Sequence, residues 1–177
     1  MNPRLRVLLI ATALVVAALI VIPFFRSDGT RPAGPAGLAG SQAPVYTMQT
    51  DAGASASLAA YRGKIVVMNL WASWCPPCRA EMPDLERLYE QYRGRGVVVV
   101  GVNQGEAPAR AAAFASSLGI TFPIWVDDQQ RYGRVYAALG LPTTVLVGRD
   151  GVVVRGFDGA LTLAQMRAAI APLVRAR

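Results

Sequence analysis

Residues 64–78 of this chain read KIVVMNLWASWCPPC. The first part, 64–71, is a nearly continuous apolar run, which is typical of a strand buried on both faces of a sheet. From 76 to 92, apolar side chains recur every three or four residues, which predicts an amphipathic helix that begins with proline, where helices tolerate it. The stretch therefore predicts a strand, a turn and a helix, with Cys75 and Cys78 where the helix begins.

This placement predicts a redox pair. Cys75 falls at the N-cap of the helix, where unpaired amide N–H groups and the positive end of the helix dipole favour a thiolate. Thiols in such positions have pKa values of about 3.5 to 7.5, against about 8.5 for a free cysteine. We therefore expect Cys75, exposed at the turn, to be the attacking nucleophile and Cys78 to be the resolving thiol. A structural disulfide or two inert thiols is the alternative, but a four-residue ring constrains an unfolded chain very little.

Composition excludes several kinds of site. The chain has 177 residues, a one-domain length, with 53% apolar and 16% charged residues, which indicates a large core or a membrane-like segment. It has no histidine, which excludes His-ligated metals and imidazole bases. Its two cysteines supply half of a four-thiolate zinc site. No metal and no cofactor is predicted.

The net charge of +7 does not indicate a nucleic-acid-binding protein. Beyond residue 40 there are 14 basic and 10 acidic side chains, and the longest basic block is the alternating stretch 93–95. The phosphate-binding stripe of a nucleic-acid-binding protein is missing. We therefore expect no nucleic acid among the partners.

An uncharged run near the amino terminus predicts a membrane anchor. Residues 7–25 read VLLIATALVVAALIVIPFF, about 28 Å as a helix against a hydrocarbon core of about 30 Å. Arg4 and Arg6 precede the run, which favours a cytoplasmic amino terminus. A cleaved secretory signal is the alternative, but the run is longer than a typical signal core and lacks a small-x-small site. Either way, residues 41–177 lie outside the cytoplasm.

The sequence predicts three regions. Residues 1–27 are the cytoplasmic amino terminus and the transmembrane signal anchor. Residues 28–40 are a linker of mostly Gly, Pro and Ala, too poor in bulky apolar residues to pack. Residues 41–177 are the globular domain.

The rest of the globular domain alternates strands and helices. We expect a hairpin over 45–50 and 55–57, a strand over 97–102, a helix over 108–118, a strand over 124–126, a helix from the capping residues Asp127 and Asp128 to Leu139, a hairpin over 143–147 and 152–156, and a helix from Thr162 to about Val174 with a capping box. This order predicts a βαβ core followed by a ββα unit, with an αβα insertion between them and helices on both faces of the sheet.

The sequence resembles the membrane-tethered thioredoxin-like proteins of the TlpA and ResA type. The likeness lies in WCPPC after an apolar strand, GLPTT at residues 140–144 before a later strand, and the amino-terminal anchor. It covers about residues 41–175. The resemblance implies an α/β, thioredoxin-like fold with an N-terminal β-hairpin extension and a central αβα insertion, preceded by one transmembrane helix.

The resemblance also implies a client-binding surface. Pro142 matches the cis-proline of the family, which lies beside the disulfide; an ordinary trans proline is the alternative, because most X–Pro bonds are trans. Leu141 is expected to face the peptide substrate. Trp74, Pro76 and Thr143 complete the predicted substrate-binding residues.

Glu81 matches a buried glutamate of ResA-like proteins, three residues after the second cysteine. It would give or take the proton of Cys78, since positions i and i+3 of a helix are within reach. A solvated glutamate on the helix surface is the alternative. Asn69 stands where thioredoxin itself carries a buried aspartate, a departure that TlpA- and ResA-like proteins commonly share.

The resemblance implies an exported enzyme, a thiol-disulfide oxidoreductase that reduces client disulfides as a monomer on the extracytoplasmic (periplasmic) side of the cell membrane. The implied clients are oxidised proteins such as apocytochrome c or the cysteine copper sites of oxidases. A membrane thiol transporter would donate the electrons. Two alternatives remain: an oxidant or isomerase of the same fold, and a module that binds a client or a metal at Cys75 and Cys78.

Overall fold

The computed structural model describes residues 35–176. Within this part of the chain, no helix is both long and apolar enough to cross a bilayer. The predicted anchor over 7–25 lies outside the described residues.

A seven-stranded mixed sheet organises the domain. The strands are β1 (Met48–Thr50), β2 (Ser55–Ala56), β3 (Ile65–Trp71), β4 (Val97–Gln104), β5 (Ile124–Asp127), β6 (Thr143–Val147) and β7 (Val153–Asp158). They lie in the order β2-β1-β5-β4-β3-β6-β7. The three central strands β5, β4 and β3 are parallel, whereas β6, β7, β1 and β2 join their neighbours antiparallel. Every residue of β3 and β4 is buried, as the apolar runs predicted.

The helices are α1 (Pro76–Tyr92), α2 (Pro108–Ser117), α3 (Arg131–Val135) and α4 (Leu163–Arg175). Short 3₁₀ turns cover Pro35–Leu38, Leu58–Tyr61 and Arg93–Arg95. The bounds of α1 match the prediction, and Gly96 follows the last turn at φ 76°, a left-handed conformation that favours glycine. The predicted capping box of Thr162 and Gln165 begins α4.

The strands divide the core into two layers because successive side chains point to opposite faces. Ile65 and Val67 belong to the layer under α1, α2 and α4. Val66 and Met68 belong to the other layer, which α3 and the 3₁₀ turns at 35–38 and 58–61 cover. The predicted helices on both faces are present, with the longer ones gathered on one side.

Two segments differ from the predictions. The helix expected to reach Leu139 is limited to Arg131–Val135, because Gln130 and Ala137 adopt φ values of 53° and 50° that a helix cannot contain. The predicted capping by Asp127 and Asp128 is confirmed only for Asp127. The N-cap position is Gln130, and the Asp127 carboxylate accepts hydrogen bonds from the N–H groups of the helix's first two residues, at 2.9 and 2.7 Å.

Part of the predicted linker belongs to the domain. Residues 35–38 form a 3₁₀ turn, and Leu38 packs against the second core layer. The Gly40 N–H donates to the Val153 carbonyl at 2.8 Å. One leucine and a few backbone hydrogen bonds are enough to fix this Gly- and Pro-rich segment, so the expectation of a spacer up to residue 40 is wrong for residues 35–40.

Candidate active site

Cys75 and Cys78 form a disulfide with a Cα–Cα distance of 5.3 Å. Cys75 is the N-cap of α1, and its Sγ accepts a hydrogen bond from the Cys78 N–H at 3.3 Å. The predicted strand, turn and helix are therefore confirmed, and one amide of the first turn points at the Cys75 sulfur.

Cys75 is 3% exposed and Cys78 is 1% exposed. The expectation that Cys75 lies exposed at the turn is therefore wrong for the disulfide state. Both sulfurs belong to the buried apolar cluster that contains Trp71 and Met82. A thiol that attacks this disulfide must reach a buried sulfur, so access depends on the surface around the disulfide.

An open groove of about 590 Å³ lies beside the disulfide loop. Trp74, which is 65% exposed, forms one wall, and Leu139 and the half-buried Leu141 form another. Arg134 also lines the groove. The groove brings together the predicted client-binding residues Trp74 and Leu141, and Pro76 is exposed at the start of α1.

The Leu141–Pro142 peptide bond is cis, as the resemblance implied. Thr143, which follows, is fully buried. Its hydroxyl lies 2.8 Å from the Gly140 carbonyl oxygen and 3.2 Å from Asp158 Oδ1. The Thr143 side chain is therefore occupied inside the protein, and the predicted contact of Thr143 with a client stays a prediction.

Glu81 is 3% exposed, so the alternative of a solvated surface glutamate is wrong. Its two carboxylate oxygens accept hydrogen bonds from the Asn69 amide at 3.0 Å and from the Leu161 N–H at 2.7 Å. Asn69 also donates to the Thr144 hydroxyl at 2.9 Å. Burial raises the pKa of Glu81 to about 7, although both hydrogen bonds oppose this rise. The group is therefore poised to exchange a proton near neutral pH, one turn after Cys78.

Sequence reasoning missed Glu106, which is 8% exposed and fixes the turn before the disulfide. Its carboxylate accepts hydrogen bonds from the Ser73 N–H at 2.7 Å, the Ser73 hydroxyl at 2.5 Å and the Asn103 amide at 2.7 Å. A usable signal was present: Glu106 follows β4, and neighbouring parallel strands end at the same edge of a sheet.

Hydrogen bonding also sets the ionisation of Glu106. Burial by itself opposes the charged form, but the hydrogen bonds from Ser73 and Asn103, together with the charge of Arg110 at 3.2 Å, outweigh burial and lower the pKa of Glu106. Two buried carboxylates near the same disulfide therefore have pKa values shifted in opposite directions. Glu106 stays charged and holds the loop, whereas Glu81 can change its protonation state.

Comparisons with known proteins agree with this geometry. The family model of the AhpC/TSA family matches residues 39–155. The chain belongs to the AhpC/TSA family. It is similar to the thiol-disulfide oxidoreductase ResA of Geobacillus thermodenitrificans, with 39% identity over 123 residues that cover 70% of this chain and 71% of that protein. ResA of Bacillus subtilis is 34% identical over 123 residues, 70% of this chain and 69% of the relative.

Solved structures show the same architecture. A thiol:disulfide interchange protein of the thioredoxin family from Chlorobium tepidum has a TM-score of 0.68 and 26% identity, covering 75% of this chain and 95% of that chain. StoA from Bacillus subtilis has a TM-score of 0.61 and 26% identity, covering 77% and 98%. This AhpC/TSA-family protein is thus a thiol-disulfide oxidoreductase with a thioredoxin-like fold.

Proposed function

We propose that this oxidoreductase reduces client disulfides with the Cys75–Cys78 pair and uses Glu81 as the proton carrier of Cys78. The observation that carries the proposal is the buried Glu81 carboxyl, with its pKa raised to about 7, one turn after a cysteine pair at a helix N-terminus. The similarity to proteins named ResA supports the same reaction class.

The reaction begins with the reduced enzyme. The Cys75 thiolate attacks one sulfur of the client disulfide, forms a mixed disulfide and releases the first client thiolate. Cys78 then gives its proton to the Glu81 carboxylate and attacks the Cys75 sulfur. This step forms the Cys75–Cys78 disulfide and releases the second client thiolate, so two electrons pass from the enzyme to the client. A thiol donor restores the enzyme by the reverse exchange.

The motif itself supports the reducing direction. Both positions between the cysteines are proline, which has no charge and no N–H group with which to stabilise the Cys75 thiolate. Strong oxidants of this fold stabilise that thiolate heavily, typically with a histidine in the motif. A less stabilised thiolate leaves the oxidised enzyme relatively more stable, so the pair is a better reductant.

The groove supports a client with an apolar segment next to its disulfide. Trp74 and Leu139 are both largely exposed, although large apolar side chains usually avoid water. A client strand lying in the groove between Trp74 and Leu141 would cover the exposed side chains of Trp74 and Leu139. It would also bring the client disulfide towards Cys75. The proposed clients are apocytochrome c with an oxidised CxxCH motif and cysteine copper sites of oxidases, and the proposed electron donor is a membrane thiol transporter.

We further propose that residues 7–25 anchor a monomer in the cell membrane, with the domain on the extracytoplasmic side. Protease added from that side should cut the domain from intact membranes. Salt alone should not release the uncleaved chain, since the apolar run would lie in the hydrocarbon core. Release by salt of a chain that still carries residues 7–25 would contradict the anchor.

A trapping experiment tests the reaction. The reduced Cys78→Ser variant, mixed with a peptide that carries an oxidised CxxCH motif, should accumulate a mixed disulfide through Cys75 because resolution fails. The matched Cys75→Ser variant should form none, since Cys78 lies inside the first turn of α1 and only the Cys75 sulfur, at the N-cap, accepts an amide N–H of that turn. Equal trapping by both variants would contradict the division of roles. Non-reducing electrophoresis and peptide mass spectrometry identify the linked residues.

A further inference from the structure

Five basic side chains lie together at the end of the sheet opposite to the disulfide: Arg62, Lys64, Arg93, Arg95 and Arg149. We name this cluster the basic pole. Arg62 and Lys64 precede β3, Arg93 and Arg95 precede β4, and Arg149 follows β6. Because β3 and β4 are parallel and β6 is antiparallel to β3, all three sites meet at one edge of the sheet. The active-site turn follows β3 at the other edge.

The charges of the basic pole are largely unpaired. Four of its side chains are exposed and that of Arg149 is half-buried. Arg93 and Arg95 lie over the rings of Tyr89 and Tyr92, at 5.9 and 5.1 Å. Among residues 35–176 the salt bridges are Arg87–Asp84 and Arg110–Glu106, so none of the five takes part in one.

Few acidic groups oppose this charge. The carboxylates nearest in sequence are those of Glu90 in the last turns of α1 and Asp150 in the turn after β6. Asp150 uses its Oδ1 to accept the Val152 N–H at 3.0 Å. At the active-site edge, by contrast, four arginines and four carboxylates balance: Arg79, Arg110, Arg131 and Arg134 against Glu106, Asp127, Asp128 and Asp158. The domain is therefore electrically polar, with its positive end away from the disulfide.

Residues 40–43 pair with the domain beside the basic pole, and the preceding 3₁₀ turn at 35–38 lies against β7. The Ala43 N–H donates to the Gly151 carbonyl at 2.9 Å, and the Gly40 N–H donates to the Val153 carbonyl at 2.8 Å, immediately after the Arg149 turn. Between residue 27, where the proposed anchor region ends, and residue 35, the seven residues 28–34 reach at most about 25 Å. A domain on so short a tether stays within reach of the bilayer surface.

We propose that the basic pole docks on the surface of a bilayer that contains anionic phospholipids, so that the active site faces away from the membrane. The inference rests on the proposed anchor and adds an orientation to it. Basic clusters next to a membrane anchor bind anionic lipid surfaces through charge, and the attraction is screened by salt. The seven residues of β3 hold the disulfide about 20 Å above the basic pole, which leaves the groove open to clients.

Lys64 is the only lysine of the chain and reports directly on this contact. The full-length chain is placed in nanodiscs of phosphatidylcholine, with or without phosphatidylglycerol, and Lys64 acylation by an amine-reactive ester is followed by mass spectrometry. We expect acylation at least about threefold slower in the anionic discs. The difference should vanish at about 1 M salt, where the Debye length is about 3 Å.

Two variants that each remove two positive charges show which edge of the domain protects Lys64 from acylation. Arg93→Gln/Arg95→Gln should raise Lys64 acylation in the anionic discs to the rate in phosphatidylcholine. Arg110→Gln/Arg131→Gln, which removes the same charge at the active-site edge, should leave the protection intact. Unchanged reduction of the disulfide by a small dithiol shows that the first variant is folded.

Two failures can be told apart. Equal Lys64 acylation in both kinds of disc, or equal loss of protection in both variants, overturns the docking while the anchor stands. A chain that enters neither kind of disc contradicts the anchor, and docking is then decided by sedimentation with phosphatidylglycerol vesicles. If the chain does not sediment with these vesicles, the docking proposal is overturned as well.

Discussion

Glu106 accepts two hydrogen bonds from Ser73, one from its backbone N–H at 2.7 Å and one from its hydroxyl at 2.5 Å. Ser73 stands two residues before Cys75, in the turn that leads from β3 to α1. The carboxylate after β4 therefore holds the turn that leads to Cys75. We expect Glu106 to be a positioning residue of the site that acts through Ser73.

Glu106→Gln should slow the attack of Cys75 on a disulfide substrate. The glutamine side chain keeps one acceptor oxygen and presents an NH₂ donor to the groups that Glu106 binds, so the turn loses at least one charge-assisted hydrogen bond. We expect unfolding free energy to fall by about 1 to 3 kcal/mol. Stopped-flow reaction of the reduced enzyme with a disulfide reagent measures the rate of attack.

Glu86 supplies a matched control for that variant. It is a buried glutamate that also accepts hydrogen bonds from the N–H and hydroxyl of one residue, Thr121, but it lies in the middle of α1. Glu86→Gln should lower stability comparably and leave the rate of Cys75 attack unchanged. If both variants slow the attack to the same extent, the effect is general destabilisation and Glu106 has no positioning role.

Glu81 should make the oxidised protein less stable as the pH rises. Its pKa is raised from 4.5 to about 7 in the folded state, so between these values the folded protein binds more protons than the unfolded chain. Stability is full below about pH 4.5 and is lost as the pH rises through about 7, by about 3 kcal/mol. Urea unfolding across this range should show the loss in the parent protein, and Glu81→Gln should lack it.

The same substitution should change the kinetics. With Glu81→Gln we expect the resolving attack of Cys78 to slow, and the inflection near pH 7 to disappear from the pH profile of turnover, because the variant has no carboxyl to take the proton. Glu90→Gln, at an exposed position of the same helix, should retain the parent profile. An unchanged profile in Glu81→Gln would remove the proton-carrier role.

Gly101 is required where β4 passes beneath Trp71. A Cβ at Gly101 would lie 2.9 Å from a ring carbon of Phe122, and 3.0 Å from both Ile124 Cδ1 and the Trp71 indole nitrogen. Gly101→Ala should therefore destabilise the protein by about 1 to 3 kcal/mol through overpacking. Gly94→Ala, where a Cβ would meet nothing within 4 Å, is the control in chemical denaturation. Equal stability of the two variants would contradict the tight packing.

Local patterns predicted most of the fold. The continuous apolar runs of β3 and β4, the proline start of α1 and the capping box of α4 are properties of neighbouring residues, and each is confirmed. The short helix α3 could not be bounded in this way. Its ends depend on positive φ values at Gln130 and Ala137, residue types that give no local sign of that conformation.

Apart from Leu141 and Pro142, which the family resemblance supplied, the site was predictable only where its residues are close in sequence. Cys75, Cys78 and Glu81 lie on one stretch of chain and were found. The bonds of Glu81 to Asn69 and Leu161, and those of Glu106 to Ser73, join segments that are 12 to 80 positions apart. The burial of Cys75 and Thr143 likewise depends on tertiary packing, which a single sequence does not display.

The reduction potential of the Cys75–Cys78 pair determines the direction of electron flow between the enzyme and its clients. Equilibration with a glutathione or dithiol buffer, followed by mass spectrometry of the trapped thiols, gives the value. We expect a potential close to that of thioredoxin, about −270 mV, whereas a strong oxidant of this fold lies near −120 mV. A value above about −180 mV, the range of a disulfide isomerase, would contradict the reductase assignment and identify the protein as an oxidant or isomerase.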